Sequence, residues 1–534
     1  MKRCSAPLRL RAAALSSLLA TGLLTLATPA QATGFTDIGQ DITPRDKTHV
    51  DLDGYFRLRS AWLYNLDLDR GLTPSGKPLF PVPLGDPNGQ MLRRSDMRLR
   101  TDVNIYAPGG GFAVKTRVDV LDNLALGSTP DGVPAASTTQ KPPSQAFRIK
   151  RAYGEVLTPF GLVSAGRMGN QWGLGMLANG GDCADCDSGD AADRIAFVTP
   201  IAGLIWAAAY DFSAIGPQTR QNSSTLPVEI EPADEVHTVT FAVLRWHNEL
   251  ARERRRKAGK TTFEVGAYGS HRWQDKDIPA SYLPTAEPVP LTRGEVMTRN
   301  YHATAIDGWF RVLLPAFRLE AEAAYIYASV EQASLIPGAL FRQPVTSNQL
   351  GAALESEAGT PDGGFWIGLD LGYASGDSAP GFGAFPDANA KPAQPGDLDG
   401  PQANPPRDRT VDNFRFHPDY RIDQILFREI IGTVTDATYV RPHARVRLFR
   451  AGPGEAMLSF AAIASWAVQP ASTPGNRNAL GVELDPTLYY GSRDGFGVAL
   501  EQGTLFPQAG LDNPVDHLRA KPAQLWRARL MYAF

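Results

Sequence analysis

The sequence predicts an all-β fold: a single transmembrane antiparallel β-barrel of eighteen strands, with short turns at one rim and long loops at the other. Three observations lead there. Apolar and polar residues alternate singly along much of the chain, and the connections alternate between long and short. The chain also ends in AKPAQLWRARLMYAF, which sets Trp526, Ala528, Leu530, Tyr532 and Phe534 on one face with Arg527 and Arg529 between them. A helical face repeats about every 3.6 residues, whereas a strand face repeats every second one.

The N-terminus has the form of a secretory signal. Lys2, Arg3, Arg9 and Arg11 precede the apolar run AAALSSLLATGLLTLA, and Ala30-Gln31-Ala32 is a small-x-small cleavage site. Cleavage after Ala32 removes four bases and no acid, so the formal charge of −3 becomes −7. That mildly acidic balance argues against a nucleic-acid partner. Residues 1–32 are thus the signal, 33–49 a short periplasmic segment, and 50–534 the barrel. The segment 33–49 is too short for the plug domain of an energised receptor. No later apolar run approaches the roughly 20 residues a membrane helix requires. A barrel hides from hydropathy because its lipid-facing residues alternate with polar ones.

The alternation begins in VDLDGYFRLRSAWLY. Val50, Leu52, Phe56, Leu58, Trp62 and Tyr64 share one face, and Asp51, Asp53, Arg57 and Arg59 the other. MRLRTDVNIY sets Met97, Leu99, Val103 and Ile105 opposite Arg98, Arg100, Asp102 and Asn104. FAVKTRVDV, FRLEAEAAYIY and FWIGLDLGY repeat the scheme, with Lys115, Arg117, Glu320, Glu322 and Asp370 on their polar faces. The first nine strands are expected at 50–65, 92–106, 111–124, 147–157, 161–168, 192–199, 203–213, 235–248 and 261–274. The remaining nine fall at 299–314, 316–331, 348–357, 364–375, 437–450, 455–468, 479–490, 495–506 and 523–534.

The connections test this independently. With both ends in the periplasm, loops after odd strands are external and those after even strands are short turns. The even connections include APGG, TPFG, TPIAG, AGPG and GSRDG, and the longest is ELARERRRKAGK, a solvated periplasmic turn. The odd ones include 66–91, 125–146, 169–191, 214–234, 275–298, 332–347 and 376–436. A closed sheet satisfies every backbone group in lipid, so the last strand pairs with the first and its aromatics sit in the outer girdle. The terminal-Phe strand resembles the signal by which outer-membrane barrels reach their assembly machinery.

Closure places the lumen charges side by side. Arg527 and Arg529 adjoin Arg57 and Arg59, then Arg98 and Arg100, then Lys115 and Arg117. The strand at 437–450 adds Arg441, His443, Arg445 and Arg447. Acids cluster elsewhere, at Glu320, Glu322, Asp370, Glu483 and Asp485. Opposed charged walls would tune which ions pass. Alternatively the charges pair and stiffen the interior, with Asp51, Asp53, Asp102 and Asp119 neutralising the arginines.

The external loop NGGDCADCDSGDAADR carries Cys183 and Cys186, the only cysteines left after signal cleavage. In an oxidising compartment a local disulfide suits them. Calcium held by some of Asp182, Asp185, Asp187, Asp190 and Asp193 also fits a hard cation, although the spacing is not an EF-hand. Zinc or redox chemistry lacks a second CxxC or a nearby histidine. By analogy with general porins, this third external loop folds inward as a constriction. The longest connection is expected to be mobile over 376–408, where seven Pro and five Gly occur. Its second part turns ordered, with DQILFREI a short helix capped by Asp423, and a plug or a rim cover is expected there.

Enzymatic readings find little support, because none of the eight histidines lies in a recognisable Ser or Cys motif. No enzyme activity and no cofactor beyond calcium are therefore expected.

GRMGNQWGLGMLANGG, following FRIKRAYGEVLTPFG, resembles the central stretch of alginate-export and related porin-like barrels. That resemblance implies an eighteen-stranded barrel with an arginine-lined lumen for an acidic polysaccharide, whereas this lumen keeps many acids beside its arginines. GFTDIGQDI, NGGDCADCDSGDAADR and FHPDYRIDQILFREI together resemble an uncharacterised family of large Gram-negative outer-membrane proteins, which brings no substrate with it. The resulting expectation is a passive channel in the bacterial outer membrane for small polar or anionic solutes, in contact with membrane lipid. The competing one is a non-transporting surface barrel whose external loops bind a partner or calcium.

Overall fold

The computed structural model describes Phe35, Ile38 and residues 46–85, 90–127, 147–220, 227–278, 293–334, 340–360, 363–385 and 391–534. The expected signal and most of 33–45 lie outside these residues. The first strands are β1 (His49–Tyr64), β2 (Met91–Tyr106), β3 (Phe112–Ala125), β4 (Phe147–Thr158), β5 (Gly161–Gly169), β6 (Ala191–Ile201) and β7 (Leu204–Ala214). A small separate hairpin, β8 (Gln218–Arg220) and β9 (Pro227–Glu229), stands in the next external loop. The main sheet continues with β10 (Val236–Arg245), β11 (Thr262–Asp277), β12 (Met297–Leu314), β13 (Phe317–Val330), β14 (Val345–Gly359) and β15 (Phe365–Ala374). It ends with β16 (Ala437–Ala451), β17 (Gly454–Ala467), β18 (Ala479–Ser492), β19 (Phe496–Pro507) and β20 (Ala523–Ala533).

The eighteen strands other than the hairpin form one antiparallel ring. Each pairs with its neighbours along the chain, and β20 returns to β1, running from Tyr55↔Ala533 to Tyr64↔Gln524. Gly54 and Phe534 then exchange backbone hydrogen bonds of 3.1 and 3.0 Å, so the terminal residue continues the seam. No edge remains to be satisfied in lipid.

The two faces separate as the alternation demands. On β20, Trp526 and Tyr532 are 55% and 50% exposed, whereas Arg527 between them is 2% exposed. Phe241, Ile306, Ile367 and Leu500 extend the apolar outer wall around the ring. A closed sheet with such a wall is the β solution to spanning a bilayer.

Two connections differ from expectation. The basic turn contains the helix α1 (Glu249–Lys257), whose first turn is capped by Asn248 accepting from the Ala251 N–H at 2.9 Å. A run of good helix formers behind an Asn cap accounts for it. The described part of the Pro- and Gly-rich stretch expected to be mobile packs inward instead, with Phe382 fully buried and Asp399 accepting from the Ala384 and Phe385 N–H groups. Short polar side chains stand in for the ladder that prolines cannot make.

The largest apolar core lies inside the ring. Phe414, Phe416, Ile425, Leu426, Phe427 and Ile430, all from the seventh external loop, pack against Leu63, Tyr439, Ile463, Leu505 and Leu525 of the strands. A second cluster joins Trp172 and Met168 to Tyr268, Trp309 and Leu244. Phe35 belongs to this cluster, with Ile38 packed against it and the Arg194 guanidinium 5.3 Å from the Phe35 ring centre. Phe35 and Ile38, from the expected periplasmic segment, therefore lie in the lumen, where the aromatic ring finds an apolar wall.

The seam leaves no room at Gly54. A Cβ there would lie 2.3 Å from the Arg100 carbonyl oxygen and 2.8 Å from the Phe534 ring. Gly54→Val should cost about 1–3 kcal/mol by overpacking. The expected outcome is a lower temperature for loss of the compact band in semi-native SDS electrophoresis.

Candidate functional site

Alternation on four adjacent strands turns every predicted base of the first wall inward. Across the ladders Arg57 stands opposite Arg98, and Arg59 opposite Arg529. Like charges directly opposite repel, so such a wall requires anions. Part of the supply comes from the strands: Asp119 takes a two-pronged contact from Arg100 at 2.7 and 2.8 Å, and Asp102 one from Arg117 at 2.6 and 2.8 Å. Lys115 sits 3.3 Å from Glu155, and Asp96 bridges Arg57 and Arg59.

The third external loop supplies the rest. It folds into the lumen, where Asp185 meets Arg59 at 3.1 Å, Arg421 at 3.0 Å, Arg428 at 2.8 Å and Arg529 at 3.1 Å. Asp187 meets Arg59 at 2.8 Å and Arg421 at 2.6 Å, and Asp182 bridges Arg117 and Arg151. Its carbonyls serve as well: Arg98 donates to the Cys186 oxygen at 2.7 Å, Arg100 to Gly181 at 2.6 Å and Arg57 to Ala184 at 3.0 Å. Cys183 and Cys186 are joined in a disulfide, which folds the loop tip into a knob that turns carboxylates and carbonyls outward together. Asp190 faces away from this cluster, accepting from the Asn179 N–H at 3.3 Å with His417 3.6 Å away. Among the described residues no three His, Cys, Asp or Glu side chains are grouped as a metal ion would require.

The seventh loop clasps the third. Asp419 accepts from the N–H groups of Asp187 and Ser188 at 2.8 and 2.9 Å, and Arg421 lies between Asp185 and Asp187. The expected short helix is a single π-type turn, Leu426–Ile431, capped by Asp423 accepting from Phe427 and Arg428 N–H at 2.9 and 3.1 Å. Glu429 reaches Arg527 at 3.1 Å.

The acidic positions of the far walls do not face open water. Glu483 accepts the N–H groups of Gln424, Ile425 and Leu426 at 2.9, 2.7 and 3.0 Å, with Asp485 buried next along β18. Glu322 accepts from Leu174 and Leu177, and Asp307 from the Trp172 indole at 2.7 Å. Glu320 pairs with Arg318 at 2.9 Å, Asp370 with Arg441 at 2.6 Å, Arg445 with Glu357 at 2.6 Å and Arg447 with Glu455 at 3.0 Å. Carboxylates on one side thus hold loop backbone, while guanidinium groups on the other hold loop carboxylates. The sequence placed these side chains on the right face. It missed Asp307, Asp419, Arg421 and Arg428 as partners, since nothing local marks contacts between residues so distant in the chain.

Burial alone would raise the Asp187 carboxyl, but the guanidinium groups of Arg421 and Arg59 hold it below the usual carboxylate range, and Asp185 is lowered likewise by Arg428, Arg529 and Arg421. Groups lowered on docking stabilise the docked loop above their free value of about 3.9, and that stability is lost as pH falls through the docked value. The loop should stay docked from neutral pH down to about 4 and leave only in stronger acid. Trp172 fluorescence across an acid titration, compared with an Asp185→Asn/Asp187→Asn variant that releases nearer neutrality, checks this.

No family model and no curated protein matches the chain. Among solved structures it is similar to OpdK of Pseudomonas aeruginosa, at 11% identity over 91% of this chain and 98% of that one, TM-score 0.43. It is similar to OccK5 of the same organism at 10% identity, and to a BenF-like porin of Pseudomonas fluorescens Pf-5 at 11%, with the same coverage and score. Ring closure, apolar wall and aromatic girdle make this chain a bacterial outer-membrane barrel.

Proposed function

We propose that the protein is a porin-like channel for passive diffusion of small polar or anionic solutes, closed in this conformation by its third and seventh external loops. The observation that carries this reading is the origin of the counter-charges. Arg57, Arg59 and Arg529 each hold one strand carboxylate, Asp96 or Glu501, and take their further carboxylates from the third loop, so withdrawal of that loop leaves a basic wall along the lumen only partly neutralised. An anionic solute can then replace the loop carboxylates contact for contact, since charge-assisted pairs with guanidinium suit any carboxylate or phosphate.

A second reading is favoured by the filled lumen itself: a non-transporting surface barrel in which loops and wall form one permanent core. Planar-bilayer recording separates the two. The channel reading expects a low, intermittent wild-type conductance and a several-fold larger one for Asp185→Asn/Asp187→Asn, because breaking buried pairs costs about 3–5 kcal/mol of docking. It also expects anion-selective reversal potentials that Arg57→Gln/Arg59→Gln abolishes. Silence in both the wild type and the loop variant would leave the surface barrel.

A further inference from the structure

Four neighbouring strands, β10 to β13, change character at the external end of the outer wall. Lower on the wall, the lipid-facing side of β11 carries Phe263 and Val265, and that of β12 carries Phe310 and Ile306, all exposed. Above them the same faces carry His271 and Trp273 on β11, His302 on β12 and His237 near the external start of β10. Side chains two apart share a face, so these rings stand in the girdle over the apolar band rather than in the lumen. They form a continuous patch. His271 stacks on His302 with ring centres 5.9 Å apart and on Trp273 at 5.8 Å, and His237 lies 5.4 Å from Trp273. Thr304 engages Nδ1 of His271 at 2.9 Å, and Tyr327 faces Thr304 across the ladder. Tyr210 engages His237 at 2.6 Å, with Glu235 3.6 Å from the same ring. Glu235 makes that end of the patch the less favourable one for an anion, and leaves His271 and His302 as its donors.

Below the patch, on β12 to β15, the wall is hollowed. Gly308, Ala321, Ala323 and Ala352 leave an apolar groove of about 400 Å³ between Phe310 and Tyr373. Gly308 lies six residues along β12 from His302, about 20 Å at 3.3 Å per residue. One acyl chain spans that distance. The groove opens to the bilayer interior, and the nitrogen donors sit where headgroups lie.

We propose that this part of the outer wall is a binding site for a phosphorylated lipid of the outer leaflet, its phosphate on His271 and His302 and one acyl chain in the groove over Ala323. Imidazole N–H groups hold the phosphate, and the groove supplies the selectivity for a lipid over a free anion. The site depends on the barrel spanning the membrane and not on its conducting, so bilayer recordings leave it untouched.

Native mass spectrometry of the full-length barrel, extracted from outer membranes in mild detergent and washed, tests the site. The expected result is a phosphorylated, acylated adduct on the wild type. His271→Asn/His302→Asn should lower its occupancy about tenfold or more through lost hydrogen bonds to a charged group. Ala323→Trp, which fills the groove, should lower it comparably, and both variants should keep the wild-type electrophoretic compactness. The proposal is overturned if the wild type carries no adduct or if both variants retain it. It is overturned equally if the histidine variant alone loses phosphorus, which marks a loose anion, or if Ala323→Trp instead dissolves a dimer, which marks a second copy in the groove.

Discussion

Guanidinium groups cannot stand side by side across four neighbouring strands without anions among them, and this requirement organises the whole interior. The ladders place Arg57 against Arg98 and Arg59 against Arg529. Strand carboxylates meet only part of the demand. The remainder is met by a disulfide-closed loop tip whose Asp185 alone touches four arginines, two of them from another loop. In a low-dielectric interior such pairs are strong only when every remaining donor is satisfied. The loop meets much of this need with its backbone oxygens as well as its carboxylates.

The opposite wall solves the complementary problem. A loop that enters the lumen brings N–H groups that a strand ladder would otherwise satisfy, and each must find an acceptor. Glu322 and Glu483 accept those N–H groups, which explains why these two acids stand on strands outside the first basic wall. The charges read from the sequence as two opposed walls across water are two kinds of anchor for the same inserted loops. Between the anchors lies an apolar core contributed by Phe414, Phe416, Ile425 and Phe427. The barrel therefore has grease on both sides of its sheet, with a charged ring between.

Strand periodicity and connection length made the fold legible. The eighteen strands, the pairing of last with first and the inward turn of the arginines of the first basic wall follow from single-residue alternation, a local property. Short strands such as 161–168 and 192–199 are recovered with slightly longer bounds, Gly161–Gly169 and Ala191–Ile201. The partners of the arginines were not legible. Asp185 and Arg59 are 126 residues apart, and an Asp-rich loop reads equally as a cation site until its surroundings are known. Phe35 was hidden for the same reason, since one aromatic residue in a short leader carries no sign of the Trp172 and Trp309 wall it meets. Helix α1 was hidden by position, because barrel turns at that rim seldom hold one.

The inserted knob also straddles the place where the ring joins itself. Asp185 touches Arg59 on the first strand and Arg529 on the last, so one carboxylate rivets the two ends of the chain from within. Inserted loop and joint are consequently one mechanical part. A barrel that empties its lumen gives up a fastener at its own seam, and the hydrogen-bonded ladder between β1 and β20 must then carry the hoop tension without it.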